Sequence, residues 1–204
     1  MIEVLKNIDT WLLLLINSSN NSFFDGLMWW ISDKFIWIPL YLFLLFKLYQ
    51  KYRSDIWKIF IVITLTIGLS DGISSGIIKK QVKRYRPSHH LEIKDSLHLH
   101  KYQNGTYYAG GKYGFVSSHA ANSAAIAFLI LLFLGRFSKH YYWMIIWSLT
   151  VSYSRMYLGV HYPSDIIGGI LVGVLSAYIS YSLGVKFLKI SLKRENKPKG
   201  SSII

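Results

Sequence analysis

Residues 141–188 read YYWMIIWSLTVSYSRMYLGVHYPSDIIGGILVGVLSAYISYSLGVKFL. Two apolar runs, Tyr141–Leu158 and Ile166–Leu188, flank a short turn, Gly159–Asp165. Each run is close to the roughly 20 residues that a helix needs to cross a bilayer. The stretch therefore predicts a helical hairpin that carries the chain across a membrane and back. Three further runs of this kind precede it: Leu27–Tyr49, Ile56–Ile78 and Ala120–Gly135. With 52% hydrophobic residues in 204, the chain fits one integral membrane domain. The expected fold is all-α, a bundle of five or six transmembrane helices spanning residues 1–192, with a basic tail at 193–204.

The count depends on Ile2–Ile16, which is apolar but short and carries Glu3, Lys6 and Asp9. It fits either an interfacial helix or a short first span. No basic leader precedes it and no small-x-small site follows in Asn17–Asn21, so it does not read as a signal peptide. The chain has no cysteine, which removes any disulfide framework.

The formal net charge is +13, a value that in a soluble protein would point to nucleic acid. Its distribution argues otherwise. Lys47, Lys51, Arg53 and Lys58 flank one short loop, Arg136 and Lys139 mark another, and Lys186, Lys189, Lys193, Arg194, Lys197 and Lys199 follow the last run. Basic residues beside short loops resist export, so these regions are expected in the cytoplasm, with both termini there if the spans number six. Lys79, Lys80, Lys83, Arg84, Arg86, Lys94, Lys101, Lys112 and Arg155 then lie on the opposite face, against the rule. Binding an anion supplies a reason for them, and no nucleic acid is implied.

Three clusters on that second face carry the chemistry. Lys79 and Arg86 stand six residues apart, and Pro87 disfavours helix at Arg86, so the chain after Lys79 turns back toward the membrane. Guanidinium offers paired hydrogen bonds to phosphate oxygens, while ammonium acts as a point charge. Ser117-Ser118-His119 precedes the run Ala120–Gly135. A serine cap there leaves free backbone N–H groups and the positive end of a helix dipole beside the histidine. In the third cluster, Ser154-Arg155 ends one helix, and His161 and Asp165 straddle Pro163 at the start of the next. A carboxylate on one ring nitrogen fixes the histidine tautomer and directs the other nitrogen outward as a nucleophile. Taken singly, each cluster has a plainer reading: headgroup contacts, a solvated histidine, a helix-start dipole partner.

Together the clusters resemble the type 2 phosphatidic acid phosphatase family, whose site is shared with vanadium haloperoxidases. The family pattern is Lys-x6-Arg-Pro, then Pro-Ser-Gly-His, then Ser-Arg-x5-His-x3-Asp. Lys79, Arg86, Pro87, Ser154, Arg155, His161 and Asp165 match the first and third. In the second, Ser117 and His119 match, while Val116 stands for proline and Ser118 for glycine. The resemblance implies that His161 forms a phosphohistidine, Asp165 orients it and His119 protonates the leaving alkoxide. It implies further that Lys79, Arg86 and Arg155 hold the phosphoryl oxygens with Ser117 and the backbone N–H of Ser118, with no metal and no cofactor.

The expected function is hydrolysis of a phosphomonoester or diphosphate on a lipid, the site facing the periplasm or exterior of a bacterial cell membrane. Undecaprenyl diphosphate, phosphatidic acid, phosphatidylglycerol phosphate and lipid A phosphates all fit, and oligomeric state is not legible. The alternative is a non-catalytic phospholipid or polyanion binder or transporter, which would have no need of the His161–Asp165 pair.

Four features remain. The polar segment Lys79–Tyr113 runs for about 35 residues, and its tyrosines are expected at the headgroup level rather than on substrate. Gly68, Gly72 and Gly76 repeat every fourth residue, as do Gly169 and Gly173, which predicts close helix approach on both faces. Asp71, about two turns before Lys79, is expected in an ion pair or hydrogen bond, with Arg155 or Lys80 as partner. His89, His90, His98 and His100 read as a solvated loop rather than a metal site.

Overall fold

A computed structural model describes residues 2–192; the expected basic tail from Lys193 lies outside them. The helices are α1 (Ile2–Ser18), α2 (Ser22–Ser32), α3 (Ile38–Tyr52), α4 (Ile56–Asp71), the short α5 (Lys79–Val82), α6 (Ser118–Ile130), α7 (Trp143–Tyr157) and α8 (Pro163–Phe187). Gly72–Ile78 joins α4 to α5 as a π-helix, and another, Leu131–Gly135, extends α6. The described residues contain no strand, only two isolated bridges in the loop before α6.

Among the described residues, three helical stretches are long and apolar enough to cross a membrane: Lys34–Val82, Ser118–Gly135 and Pro163–Phe187. The first has 49 residues, and at about 1.5 Å per residue a straight helix of that length would far exceed the ~30 Å hydrocarbon core. It folds back instead at Arg53, whose positive φ of 38° breaks the helix between α3 and α4.

Leu27–Tyr49, expected as a single apolar run, is interrupted. Asp33 leaves α2 in an extended conformation and its carboxylate accepts the Phe35 N–H at 2.9 Å, which caps a new turn. The Trp37 indole donates to the Ile31 carbonyl at 2.9 Å and braces the corner.

Contacts define two ends of the bundle. At one end the Tyr52 hydroxyl donates to the Phe133 carbonyl at 2.8 Å, Arg136 to the Leu192 carbonyl at 3.0 Å, and the Ser191 N–H to Asp55 at 2.9 Å. The other end gathers Ser32, Lys79, Ser117 and Arg155. Helix α1 packs along this second end, since Asp9 accepts from Ser164 while Asn17 donates to the His98 and Tyr157 carbonyls. Two residues about 12 Å apart along the helix axis thus both engage the same end, as an interfacial helix would.

The core lies among α3, α4, α6, α7 and α8, with Leu48, Ile59, Phe133, Leu134 and Met144 all but inaccessible. Phe43, Phe46, Phe60, Ile146, Leu171 and Leu175 point outward, the inverse of a water-soluble surface. Buried serines turn inward, and Ser123 and Ser148 share a hydrogen bond of 3.1 Å between α6 and α7.

The glycine expectation divides. A Cβ at Gly169 would stand 2.5 Å from the Ser117 carbonyl oxygen, and one at Gly173 would overlap the Ala121 carbonyl, so these two let α8 lie directly on the backbone of α6. A Cβ at Gly68, Gly72 or Gly76 would meet nothing within 4 Å. Spacing alone does not create an interface; a neighbouring backbone must be there.

Candidate active site

Pro163 opens α8, with its fixed φ suited to the first turn and its missing N–H costing nothing there. Two residues on, the Asp165 carboxylate folds back. Its Oδ2 accepts the Tyr162 N–H at 3.0 Å, capping the helix, and lies 3.3 Å from Nδ1 of His161. The plain role expected for a helix-start aspartate and the orienting role coexist in one oxygen. Both side chains are buried. With Nδ1 assigned as the donor to Asp165, Nε2 carries the lone pair, and among the described residues it has no hydrogen-bond partner.

Ser117 caps α6, its hydroxyl accepting the Ala120 N–H at 3.5 Å, a contact of the kind worth about 1 kcal/mol. Its own N–H donates to the Asp165 carbonyl at 2.9 Å. That bond fixes the start of α6 against the start of α8 and brings the second motif to the third. His119 follows in the first turn of α6. It borders a cavity of about 250 Å³ whose lining is polar at Ser118, Asp71 and Asn122 and apolar at Trp37, Ile126 and Val151.

The cations arrive from three elements. Lys79, at the start of α5, donates to the Ser118 hydroxyl at 2.5 Å, and Ser118 is also 2.7 Å from Ser75. Arg155, in the last turn of α7, is 2% exposed; it donates to the Ser32 hydroxyl and, at 2.7 Å, to the Tyr108 hydroxyl. Arg86 donates through Nε to the Tyr113 carbonyl at 3.2 Å. The loop that carries it is zipped along its length, Arg86 N–H to the Lys112 carbonyl at 3.1 Å and Gly114 N–H to the Arg84 carbonyl at 2.8 Å. Gly110, at φ +65°, and Gly114 lie flat on Arg86: a Cβ at the first would be 2.7 Å from Nη1, and at the second 2.9 Å from Asp165 Oδ2.

Burial is the main cause that pushes the His161 pKa well below its ordinary value, followed by the charges of Arg86, Arg155 and Lys79. His161 is therefore neutral at pH 7 and its Nε2 is free of a proton. Burial, with Arg155 beside it, also lowers Arg86 to about 10, which leaves it charged at pH 7. Nη1 of Arg86 and Nε of Arg155 are buried without partners among the described residues, as is Nε2 of His161. A phosphoryl group would satisfy two such donors while offering its phosphorus to the third atom.

A protein-family model for the PAP2 superfamily matches residues 55–189. The chain belongs to this family. Among PAP2 relatives, it is 36% identical over 189 residues to a lipid A 4'-phosphatase of Bacteroides thetaiotaomicron, covering 91% of this chain and 81% of that one. It is 32% identical to an undecaprenyl-diphosphatase of Sulfolobus acidocaldarius, over 84% of this chain and 76% of the other. In fold it resembles the transmembrane PAP2-type phosphatidylglycerolphosphate phosphatase of Bacillus subtilis, with TM-score 0.67 and 20% identity, over 95% of this chain and 90% of that one. This is an integral membrane PAP2 protein.

Every site residue expected from sequence lies at one end of the bundle, with His161 within electrostatic reach of Arg86, Arg155, Lys79 and His119. Several neighbours were not foreseen. Tyr108 reaches Arg155, so one tyrosine of the long loop serves the site while Tyr85 and Tyr107 stay exposed. Asp71 accepts from Ser75 at 3.2 Å rather than from Arg155 or Lys80. Two of the loop histidines are engaged elsewhere: His98 lies 2.9 Å from Asp25, and His100 stacks on Trp29 at 4.0 Å between centroids. Among the described residues no group of three or more metal-ligating side chains forms.

Proposed function

We propose that this protein is a membrane lipid phosphatase that cleaves a phosphate ester through a phosphohistidine. The observation that carries the reading is the buried His161, with Nδ1 on Asp165 and an unpartnered Nε2 among three cations. Nε2 attacks phosphorus as the P–O bond to the lipid breaks. Lys79, Arg86 and Arg155 neutralise the charge on the phosphoryl oxygens, helped by the Ser117 hydroxyl and the Ser118 N–H. His119, in the lining of a cavity with both polar and apolar residues, protonates the departing alkoxide. Water then attacks the phosphohistidine, with His119 as base, and releases phosphate. A binder or transporter would gain nothing from holding one nitrogen of a buried histidine neutral and unpartnered.

Among substrates, a phosphomonoester on a lipid A-type glycolipid is the first choice, supported by the 36% identity over 91% of the chain. Undecaprenyl diphosphate is the second, supported by the 32% relative. A phosphate-release screen of purified protein on lipid A, undecaprenyl diphosphate, phosphatidylglycerol phosphate and phosphatidic acid decides between them. At least tenfold higher kcat/KM on lipid A is expected, and higher turnover of undecaprenyl diphosphate would reverse the order.

Three fixed cations supply the charge that a metal ion provides elsewhere. Turnover is therefore expected to survive exhaustive EDTA, and vanadate to inhibit competitively. Activity lost in EDTA and restored by a divalent ion would refute this.

Orientation follows from charge. Arg53, Lys58, Arg136, Lys186 and Lys189 collect at the end opposite the site, so we place that end, and the tail 193–204, in the cytoplasm and the site outside. The chain lacks cysteine, so single cysteines report cleanly. In intact cells, with any outer membrane permeabilised, an impermeant thiol reagent is expected to label Ser96→Cys but not Ser138→Cys, nor Ser201→Cys, which lies outside the described residues. Reversed labelling would put the site in the cytoplasm.

A further inference from the structure

Behind the His161–Asp165 pair lies a second layer of charge that the phosphate chemistry does not use. Arg84 Nη1 donates to Oδ1 of Asp165 at 3.0 Å and to the Ser164 hydroxyl at 2.6 Å, while Nη2 donates to Oδ2 of Asp9 at 2.5 Å. Asp9, in α1, in turn accepts the Ser164 N–H at 2.9 Å and the Ser164 hydroxyl at 2.5 Å. The guanidinium also lies over the Tyr162 ring, 3.9 Å from its centroid. All of this sits on the side of Asp165 away from His161, since His161 and the Tyr162 N–H take the other oxygen.

We propose that Arg84 and Asp9 are positioning residues for the nucleophile, with α1 forming the back wall of the site. The proposal rests on the His161–Asp165 reading above. Three groups fix the Asp165 carboxylate, and only one of them, His161, reacts. Arg84 pins Oδ1 and so sets the rotation of the carboxylate plane; Oδ2 then meets Nδ1 and aims Nε2 at phosphorus. Asp9 holds Arg84 by a second carboxylate and by Ser164, so the guanidinium is not free to swing into the phosphate cradle beside Arg86. Asp9 lies outside residues 55–189, the part that matches the family model, so the clamp adds to the family domain a contribution from the N-terminal helix.

The physics separates two variants. Arg84→Gln removes the guanidinium that links Asp9 to Asp165, leaves Asp9 held by Ser164 alone, and strips Asp165 of its counter-ion. Asp9→Asn keeps an acceptor for Ser164 but releases Arg84 from one side. Neither side chain contacts the phosphate-holding atoms, so the loss should fall on kcat and not on KM. Removing a partner that orients a functional ligand typically costs about 10–100-fold.

The test measures kcat, KM and the rate of phosphohistidine formation, by rapid quench, for wild type, His161→Ala, Arg84→Gln, Asp9→Asn and the double variant in full-length detergent-solubilised protein. Expected are a kcat about 10–100-fold lower in Arg84→Gln, a smaller fall in Asp9→Asn, and KM within twofold of wild type in both. The double variant should be no worse than Arg84→Gln alone, since the two act through one linkage, and Arg84→Lys should recover part of the loss. Unchanged kcat in both single variants would overturn the proposal, as would a rise in KM at constant kcat, which would make Arg84 a fourth phosphate-binding cation. If Arg84→Gln fails to fold, Asp9→Asn carries the same test. An inactive wild type, or an active His161→Ala, would sink the nucleophile reading itself rather than the clamp.

Discussion

Replacing His161 with alanine should lower phosphate release by more than about 10⁴-fold while the protein still inserts and folds. A missing general acid or base typically costs about 10²–10⁴-fold, because water or buffer can stand in for part of its work. Nothing stands in for a covalent nucleophile, since the variant has no atom to attack phosphorus from that position. Substrate binding should survive, because Lys79, Arg86 and Arg155 remain. The expected result is therefore retention of vanadate-sensitive lipid binding, measured with a fluorescently labelled phosphatidic acid in detergent, alongside turnover at background. Activity within about tenfold of wild type would end the phosphohistidine mechanism.

The second large effect is on stability. Gly173→Leu should cost about 3 kcal/mol or more and abolish folded, active protein, because its side chain begins where the Ala121 carbonyl already sits. The obstacle is backbone, and it can give way only if α6 and α8 separate. Separation would also break the bond from the Ser117 N–H to the Asp165 carbonyl, so activity should fall with the folded fraction. Gly68→Ala is the control. Its Cβ meets nothing, and alanine exceeds glycine in helix propensity by about 1 kcal/mol, so thermal stability in detergent should be unchanged or higher. Equal melting of both variants would show that α6 and α8 do not pack as described.

Local spacing explains which parts of this arrangement were legible in the sequence. His161 and Asp165 stand four apart around Pro163, and a proline that opens a helix leaves little choice about where the carboxylate goes. Ser117 as a cap, and the motif cations as a cluster, follow from equally short-range rules joined by membrane topology. What escaped was long-range. Arg84 reads as one more loop cation until Asp9 and Asp165 are seen on either side of it, 75 and 81 residues away in the chain. Tyr108, Gly110 and Gly114 belong to the site because the loop folds back on Arg86, and no periodicity announces that. The stripe of Gly68, Gly72 and Gly76 misled for the opposite reason, since a regular pattern describes one helix and says nothing of its neighbour. Ser32-Asp33-Lys34, a short polar break in an apolar run, was enough to split an expected span in two, with Asp33 capping the new turn.

The hydrogen bonds between Asp9 and Ser164 join residues 155 apart in the chain. At the usual ~5–20 residues per second of synthesis, the ribosome needs about 8–30 s to make the second partner after the first. During that interval α1 lacks half of its dock: Arg84 emerges 75 residues after Asp9 and can pair with it, but Ser164 and Asp165 are still to come. Competence therefore arrives late and all at once, when the last helix enters. A nascent chain halted before Ser164 should hold most of its helices and cleave no lipid, because Asp165 and the dock for Asp9 are both still missing.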